Sequence, residues 1–584
     1  MAHRVDGPPH GYPPMSTRPE PASHLLRAFV AVLGRGERLR IAGYVLLSLL
    51  GALAGALAAV ALVPLVQPGH VLTLAGHALP LPTGFLAQTL LFVAASSGFA
   101  LLRWWGTRLA ADLASRHALD LRRQVHARLL QAPLPALADA SSAEIANLLT
   151  YNVEIVVQGF SALLQLLVAA ITAAVSLAAA FLVSPMLVLA LPPLLALGLL
   201  AFRIAGHEQA RVSRQYVADM TRLFWLSEDF PRRLRHVRSF AREAREQEAY
   251  EAIAGRLAYG YARQQALVAS GRLLLELAAV AAIAAIMLLA GVWHGIDRGA
   301  LITVGLLLGR LLPYLVSTRQ SVQQLRSAAP ALELWQRYVA LGTLPTPPGT
   351  VAAQPSAATA VTAPIQIERI GLAPPLAAVA LTGLVLAPGT LTLISGPSGV
   401  GKSSLMDALA GMVAPPQFAA HCDGRALDFA GYRAALQPLA YVAQGVRPWQ
   451  HSVRHCLAWA APAASEATMW EALRDVGLVT RLQGGAGLDT AAHGAGARLS
   501  GGELQRLLLA QVLLRQPRVA LLDEATSALD AVAEQQVLST LRRRLPQTAL
   551  VAVSHRLGLT AIADQCVMVQ RATVSPLLLA DRAS

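Results

Sequence analysis

Six apolar stretches in the first 315 residues constrain this chain more than any other feature. They run 41–66, 85–105, 160–183, 186–204, 273–292 and 301–315. About 20 apolar residues in a helix cross the ~30 Å hydrocarbon core of a bilayer. No water is there to bind backbone N–H and C=O groups, so such stretches cross as helices. The sixth is short unless it continues through Pro313 and Tyr314 as a tilted or bent helix. Only Ser184 and Pro185 separate the third from the fourth. The expected first domain, 41–340, is a membrane all-α six-helix transmembrane domain with long helical loops.

Charge gives an orientation. Residues 1–40 hold six Arg, 67–84 none, 106–159 five, 205–272 twelve and 293–300 one. Excess positive charge stays on the cytoplasmic side. Both termini, the 1–40 tail and the two long loops are therefore expected there, with only short turns outside. Residues 107–131 and 208–264 carry apolar positions at helical spacing among charges and should be helical. Residues 1–40 contain no apolar core of a signal peptide, so the first span is expected to stay in the protein.

The composition suits a chain that is partly membrane and partly water-soluble, not a pure membrane bundle, because its second half reads as an ordinary α/β domain. Its charged fraction is 14%, against about 25% for soluble domains. The 584 residues carry a net charge of +14, but no array of base-stacking aromatics accompanies it, which argues against a nucleic-acid partner. Cys422, Cys456 and Cys566 have no CxxC spacing and read as reduced cytosolic thiols. Residues 341–364 are rich in Pro, Ala, Thr and Gly and read as a linker. From 365 to 584, short β-rich runs alternate with helices, the pattern of an α/β P-loop NTPase domain.

Of 48 basic residues 47 are Arg, and the one Lys, Lys402, stands in a phosphate-binding pattern. The apolar run 391–394 reads as a strand. Gly396, Pro397, Ser398, Gly399, Val400, Gly401, Lys402 and Ser403 follow, and a helix is expected to open at Ser404. Glycines let backbone N–H groups turn toward phosphate oxygens, and the helix start adds positive potential. Lys402 is expected on the β- and γ-phosphates of ATP and Ser403 on Mg²⁺. A chance match in a Gly-rich loop is the alternative for this motif alone. Downstream, the apolar run 519–522 leads into Asp523 and Glu524. Asp523 suits Mg²⁺, and Glu524 suits general-base work on the attacking water.

With these residues in place, the chain resembles ATP-binding cassette proteins. Ser500, Gly501, Gly502, Glu503 and Gln505 lie in a stretch similar to their signature motif, 499–506; 523–530 resembles their Walker B end and D-loop. Gln444 resembles the Q-loop glutamine and His555 the switch histidine. The six-span layout is similar to exporter-type half-transporters. The resemblance implies that Ser500, Gly501, Gly502 and Glu503 approach ATP held by a second subunit. It implies that Gln444 senses Mg²⁺, that His555 contacts the γ-phosphate and attacking water, and that Asp530 couples two sites. Ser404 would join the phosphate cradle. Helical loops near 143–154 and 222–229 would act as coupling helices.

Three departures stand out. Residues 370–374 offer no aromatic to stack on adenine, 490–496 contain no acidic residue, and the stretch after His555 is short. A homodimer is expected, with a paralogous half-transporter as the alternative partner. The expected activity is ATP-driven export or flipping of an amphipathic or hydrophobic molecule (peptide, lipid or drug) across a bacterial inner membrane. The alternative is an ATP-gated channel or regulatory membrane ATPase. No protease-like domain precedes the spans, so processing of a leader peptide is not expected. Glu276 and Arg310 are charges inside apolar stretches and hence candidate cargo contacts. Arg272 and Glu276, four apart, could instead pair with each other.

Overall fold

The computed structural model describes residues 35–67, 73–74, 77–78, 82, 84–138, 140–183, 208, 211–212, 215–216, 218–220, 222–224, 226–227, 230–292, 298–342, 363–373, 379–492, 499–554 and 556–569. The chain divides into two units: residues 1–130 with 139–341, and residues 131–138 with 342–584.

The first unit is helical. Its helices are α1 (Arg35–Val66), α2 (Phe85–Gln131), α3 (Ser142–Asn147), α4 (Val153–Val183), α5 (Phe230–Ser239), α6 (Glu243–Val292), α7 (Arg298–Gly309) and α8 (Leu312–Val339). A two-stranded hairpin, β1 (Thr73–Leu74) with β2 (His77–Ala78), follows α1. Among the described residues, three helices are long and apolar enough to cross a membrane: 36–66, 85–131 and 144–183. Their apolar side chains largely face outward. Leu86, Leu90, Val93, Leu101, Trp104 and Trp105 of α2 are all exposed. So broad an uncovered apolar surface needs a non-aqueous surrounding.

The expected span 186–204 lies outside the described residues. The expected 273–292 span falls within the 50-residue α6. The expected 301–315 span is bent: α7 stops at Gly309, two residues turn, and α8 restarts with Pro313 in its first turn, where a missing N–H costs nothing. Helix α2 carries on well past its apolar part to Gln131.

Helix α4 packs along α8. Val153, Val156, Phe160 and Leu164 are buried on α4, and Leu325, Leu332, Trp335 and Tyr338 on α8. Trp335 Nε1 donates to the Leu121 carbonyl at 3.2 Å. The expected coupling segment 143–154 is engaged within this unit. Tyr338 donates its hydroxyl proton to Glu144 at 2.8 Å, Arg337 lies 3.6 Å from the same carboxylate, and Arg122 approaches Glu154 at 3.7 Å. Residues 131–138, around the 3₁₀ turn Leu134–Leu137, group with the second unit.

The second unit contains two sheets. Its elements are β3 (Ile365–Gly371), β4 (Ala380–Leu386), β5 (Leu391–Ser395), α9 (Lys402–Leu409), β6 (Gln417–Cys422), β7 (Arg425–Leu427), α10 (Phe429–Ala435) and β8 (Leu439–Val442). There follow α11 (Val453–Ala460), α12 (Glu466–Asp475), α13 (Val479–Gln483), α14 (Gly501–Arg515), β9 (Val519–Asp523), α15 (Ala531–Arg544), β10 (Ala549–Val553) and β11 (Gln565–Met568). Five strands form a parallel sheet in the order β11-β5-β10-β9-β8, and four form an antiparallel sheet in the order β4-β3-β6-β7.

Every residue of β9 and β10 is buried, as parallel strands covered on both faces require. Alternate residues feed two cores. Leu391, Leu393, Ala520, Leu522, Leu550 and Ala552 pack with α11, α12, α14 and α15. Ile394, Leu521, Val551 and Val553 pack with α9 and the antiparallel sheet.

Candidate nucleotide site

The register of the parallel sheet builds the site. Ile394 of β5 pairs with Val553 of β10, Val553 pairs with Asp523 of β9, and Leu522 pairs with Val442 of β8. Four strands therefore end in one row. The loop of Gly396 follows β5, Glu524 follows β9, Gln444 follows β8, and Ser554 follows β10. Ligand sites in open α/β sheets lie at such strand ends.

The loop after β5 needs its glycines. Gly396, Gly399 and Gly401 have φ of +154°, +74° and +105°, and a Cβ on Gly396 would meet the Val569 carbonyl oxygen at 2.7 Å. Val400 is buried in the core and anchors the loop, while Pro397 accepts from the Val400 N–H at 3.4 Å. Ser398 is exposed. The helix opens at Lys402, two residues before the expected Ser404, because left-handed Gly401 is already its N-cap. Lys402 is 6% exposed, and its ammonium donates to the carbonyls of Gly396 and Pro397, each at 3.0 Å.

Across the row, Asp523 is buried and accepts a hydrogen bond from Ser403. Burial raises its carboxyl above the ordinary value. The Ser403 hydrogen bond opposes that, the Glu524 carboxylate adds to it, and Lys402 counters it. Asp523 Oδ2 is buried without a hydrogen-bond partner among the described residues. An orphaned carboxylate oxygen beside a serine hydroxyl is the hard-oxygen donor set that Mg²⁺ takes, with substrate phosphates supplying the rest. No group of three or more His, Cys, Asp or Glu among the described residues forms an all-protein metal site. Gln444 donates its amide to Glu524 Oε2 at 2.8 Å, so it meets the neighbouring carboxylate rather than Asp523. Glu524 has φ +50°, a left-handed conformation that is strained for a side chain with a Cβ.

The signature residues form a second group. Ser500 caps α14 and its hydroxyl accepts from the Glu503 N–H at 3.4 Å, while Ser500 N–H donates to Glu503 Oε2 at 2.6 Å. This reciprocal capping box and the Arg481 ion pair at 3.2 Å engage Glu503, which the family resemblance places near nucleotide. Gly501 faces open space. Gly502 lies close to the D-loop: a Cβ there would be 3.2 Å from the Ala528 carbonyl. Gln505 donates to Ser527 at 3.0 Å and accepts from the Ala528 N–H at 2.8 Å. Asp530 caps α15, accepting from the Ala533 N–H at 2.7 Å.

His555 lies outside the described residues. Its neighbours expose a residue that the sequence did not single out. Glu534 is 1% exposed and accepts from Thr526 at 2.6 Å, Ser554 at 3.3 Å and Arg556 at 3.0 Å. It ties the D-loop to both sides of position 555. In sequence it is one more acidic residue in the first turn of a helix, which carries no signal of burial. Asp407 and Tyr441 were also missed. The Tyr441 hydroxyl donates to Asp407 at 3.0 Å, and both feel Asp523. The available signal was spacing, since Asp407 lies four residues after Ser403 on one helix face.

Of the candidate cargo contacts, Glu276 pairs with Arg272 at 2.9 Å on α6, the local pairing foreseen from their spacing. Arg310 sits in the turn between α7 and α8.

Comparison with known proteins agrees with this architecture. The family model for the ABC transporter transmembrane region matches residues 73–311, and that for the ABC transporter domain matches residues 382–527. A mycobactin import ATP-binding/permease protein, IrtB of Mycobacterium bovis, is 37% identical over 187 residues, 32% of each chain. The heterocyst differentiation ATP-binding protein HepA of a Nostoc species is 31% identical over 192 residues, 33% of this chain and 32% of the relative. The matches thus span about a third of the length of these relatives. The ATP-dependent lipid A-core flippase of Chromobacterium violaceum is 27% identical over 372 residues, 62% of each chain. The solved structure of a bacterial Atm1-family ABC exporter with ATP bound has the same fold, with a TM-score of 0.73 at 21% identity over 91% of this chain and 94% of that one. This chain is an integral membrane protein of the ABC transporter family, its transmembrane region and ATP-binding domain fused in one polypeptide.

Proposed function

We propose that this protein hydrolyses ATP to move an amphipathic or hydrophobic molecule across the bacterial inner membrane. The observation that carries this reading is the row of Lys402, Ser403, Asp523, Glu524 and Gln444 at the ends of adjacent parallel strands, in a chain with a long apolar helical unit. Six spans within 41–340, a linker at 341–364 and a cassette at 365–584 complete the arrangement, with both termini cytoplasmic.

The residues divide the work. The backbone of 396–401, Lys402 and Ser404 bind the phosphates of ATP. Ser403 and Asp523 would hold Mg²⁺, which when bound offsets the charge of the phosphates. Glu524 takes a proton from the attacking water, and Gln444 orients its carboxylate. His555 steadies the same water. Ser500, Gly501 and Gly502 meet the ATP of a second subunit, which makes two copies of this chain the working unit. Glu503 builds the cap that shapes that surface, and Asp530 and Glu534 hold the loops on either side. ATP binding favours a closed pair of cassettes and hydrolysis releases it, so the membrane unit alternates between two accessible sides.

Glu524→Gln tests the assignment. Purified protein carrying it should bind Mg²⁺–ATP yet hydrolyse it about 10²- to 10³-fold more slowly than the parent. Turnover near the parent rate would refute the role of Glu524.

A further inference from the structure

The membrane unit holds a cation that the nucleotide site does not use. Both terminal nitrogens of Arg310 are buried and have no hydrogen-bond partner among the described residues. The guanidinium lies over the ring of Phe99 on α2, 4.1 Å from its centroid, and against the bare backbone of Gly55 on α1. A Cβ on Gly55 would fall 1.7–1.9 Å from three guanidinium atoms, so only glycine admits the head group there. Gly51, one turn earlier, brings α2 close through Leu102.

The place is deep. Gly55 lies about 16 Å along α1 from Val66, and Phe99 about 21 Å along α2 from Phe85, at 1.5 Å per residue. Half of the ~30 Å hydrocarbon core is about 15 Å. The chain supplies almost nothing to neutralise a charge at that depth. Residues 38–111, 155–207, 277–296 and 298–332 contain no Asp or Glu. Glu276 already pairs with Arg272. Among the described residues, those that act electrostatically on Arg310 are Tyr314, through its hydroxyl, and a second cation, Arg103. A cation–π contact offsets only part of the cost of removing a guanidinium from water.

We infer that Arg310 receives an anionic oxygen group, a carboxylate or phosphate, carried on an amphipathic molecule within the membrane unit. Arginine is suited to this because its N–H donors match those groups and it never loses its charge. Arg103 adds attraction from α2. The inference deepens the transport reading, and it rests on that reading only for taking the bound anion to be cargo.

The test uses the full chain in phosphatidylcholine nanodiscs with radiolabelled dodecyl phosphate, dodecanol and dodecyltrimethylammonium, three probes with one chain length and different heads. The parent should bind dodecyl phosphate at least about tenfold more tightly than the other two. Arg310→Gln should remove that preference, and Arg310→Lys should keep part of it. Gly55→Ala retains the arginine but displaces its head group, and should weaken dodecyl phosphate several-fold. Competition by phosphatidylglycerol in the disc assigns the site to a lipid phosphate; its absence assigns it to the free amphiphile, and both support the inference. Equal binding of the three probes by the parent, or unchanged binding in both Arg310→Gln and Gly55→Ala, overturns it. Mg²⁺–ATP hydrolysis by the same discs is read separately. Charge-selective binding without hydrolysis would sink the transport reading and leave the anion site, and the reverse would sink only the anion site.

Discussion

Lys402 and Arg310 are both buried cations seated against glycine-made space, and their surroundings are opposite. Lys402 donates to two backbone carbonyls and has Asp523 and Glu524 across the row. Arg310 has an aromatic face, a bare helix backbone and another arginine. The cassette brings partners for its cation from its own chain. Among the described residues the membrane unit offers Arg310 no such partner, which is why the anion inferred above would come from a bound molecule.

The sharpest way to break this comparison is to exchange the two side-chain types. Lys402→Arg should lower ATP hydrolysis by about 10²-fold or more in steady-state assays, because a planar fork cannot meet both carbonyls and the phosphates as a compact ammonium does. Arg310→Lys should weaken dodecyl phosphate by only about threefold in the nanodisc measurement, since the charge survives and only the fork is lost. If the two conservative exchanges cost the same, the contrast between a completed and an open site fails.

Asp523 sharpens the contrast within the cassette. Its carboxyl is raised by burial, so the ionised form is disfavoured in the fold. For an acid shifted upward, this destabilisation is absent at low pH and develops as the pH rises from the unfolded-state pKa through the folded one. Asp523→Asn should therefore raise the thermal midpoint at pH 7 by about 2–4 °C while removing Mg²⁺-dependent hydrolysis. A lower midpoint would show that the carboxylate stabilises the fold instead. The smallest effect is expected at Asp530→Ala, which deletes a helix cap and should cost about 1 kcal/mol in chemical denaturation. A much larger loss of ATP hydrolysis than of stability there would favour a coupling role over a capping one.

The cassette was legible in sequence because its motifs carry their own geometry. A strand running into Gly396 and Gly401 demands positive φ, and 519–522 running into Asp523 and Glu524 places two carboxylates at a strand end. What stayed hidden depends on partners distant in the chain. Gln444 meets Glu524 across 80 residues, and Glu534 is buried only because Thr526, Ser554 and Arg556 close around it. Periodicity reports which face of a helix is apolar, not which polar residue on the other face will be enclosed. In the membrane unit, length and hydropathy outlined α1, α2 and α4. Pro313 already pointed to a bent sixth span, which the break after Gly309 fits, but uniform apolarity could not foretell that 143–154 would bind α8 through Glu144. Arg310 was visible as an intramembrane charge, but that it has no hydrogen-bond partner among the described residues emerges only with Gly55 and Phe99 placed around it.

The position of β10 sets a timetable for the newborn protein. It follows β5, β8 and β9 in the chain, yet it sits in the middle of the parallel sheet, between β5 and β9. Until residue 553 has left the ribosome, the strands ending at Ser395 and Asp523 have no partner to hold them side by side. Pairings that join such distant stretches form late. A nascent chain can therefore insert its apolar helices, with most of its length already made, while still unable to assemble a nucleotide site.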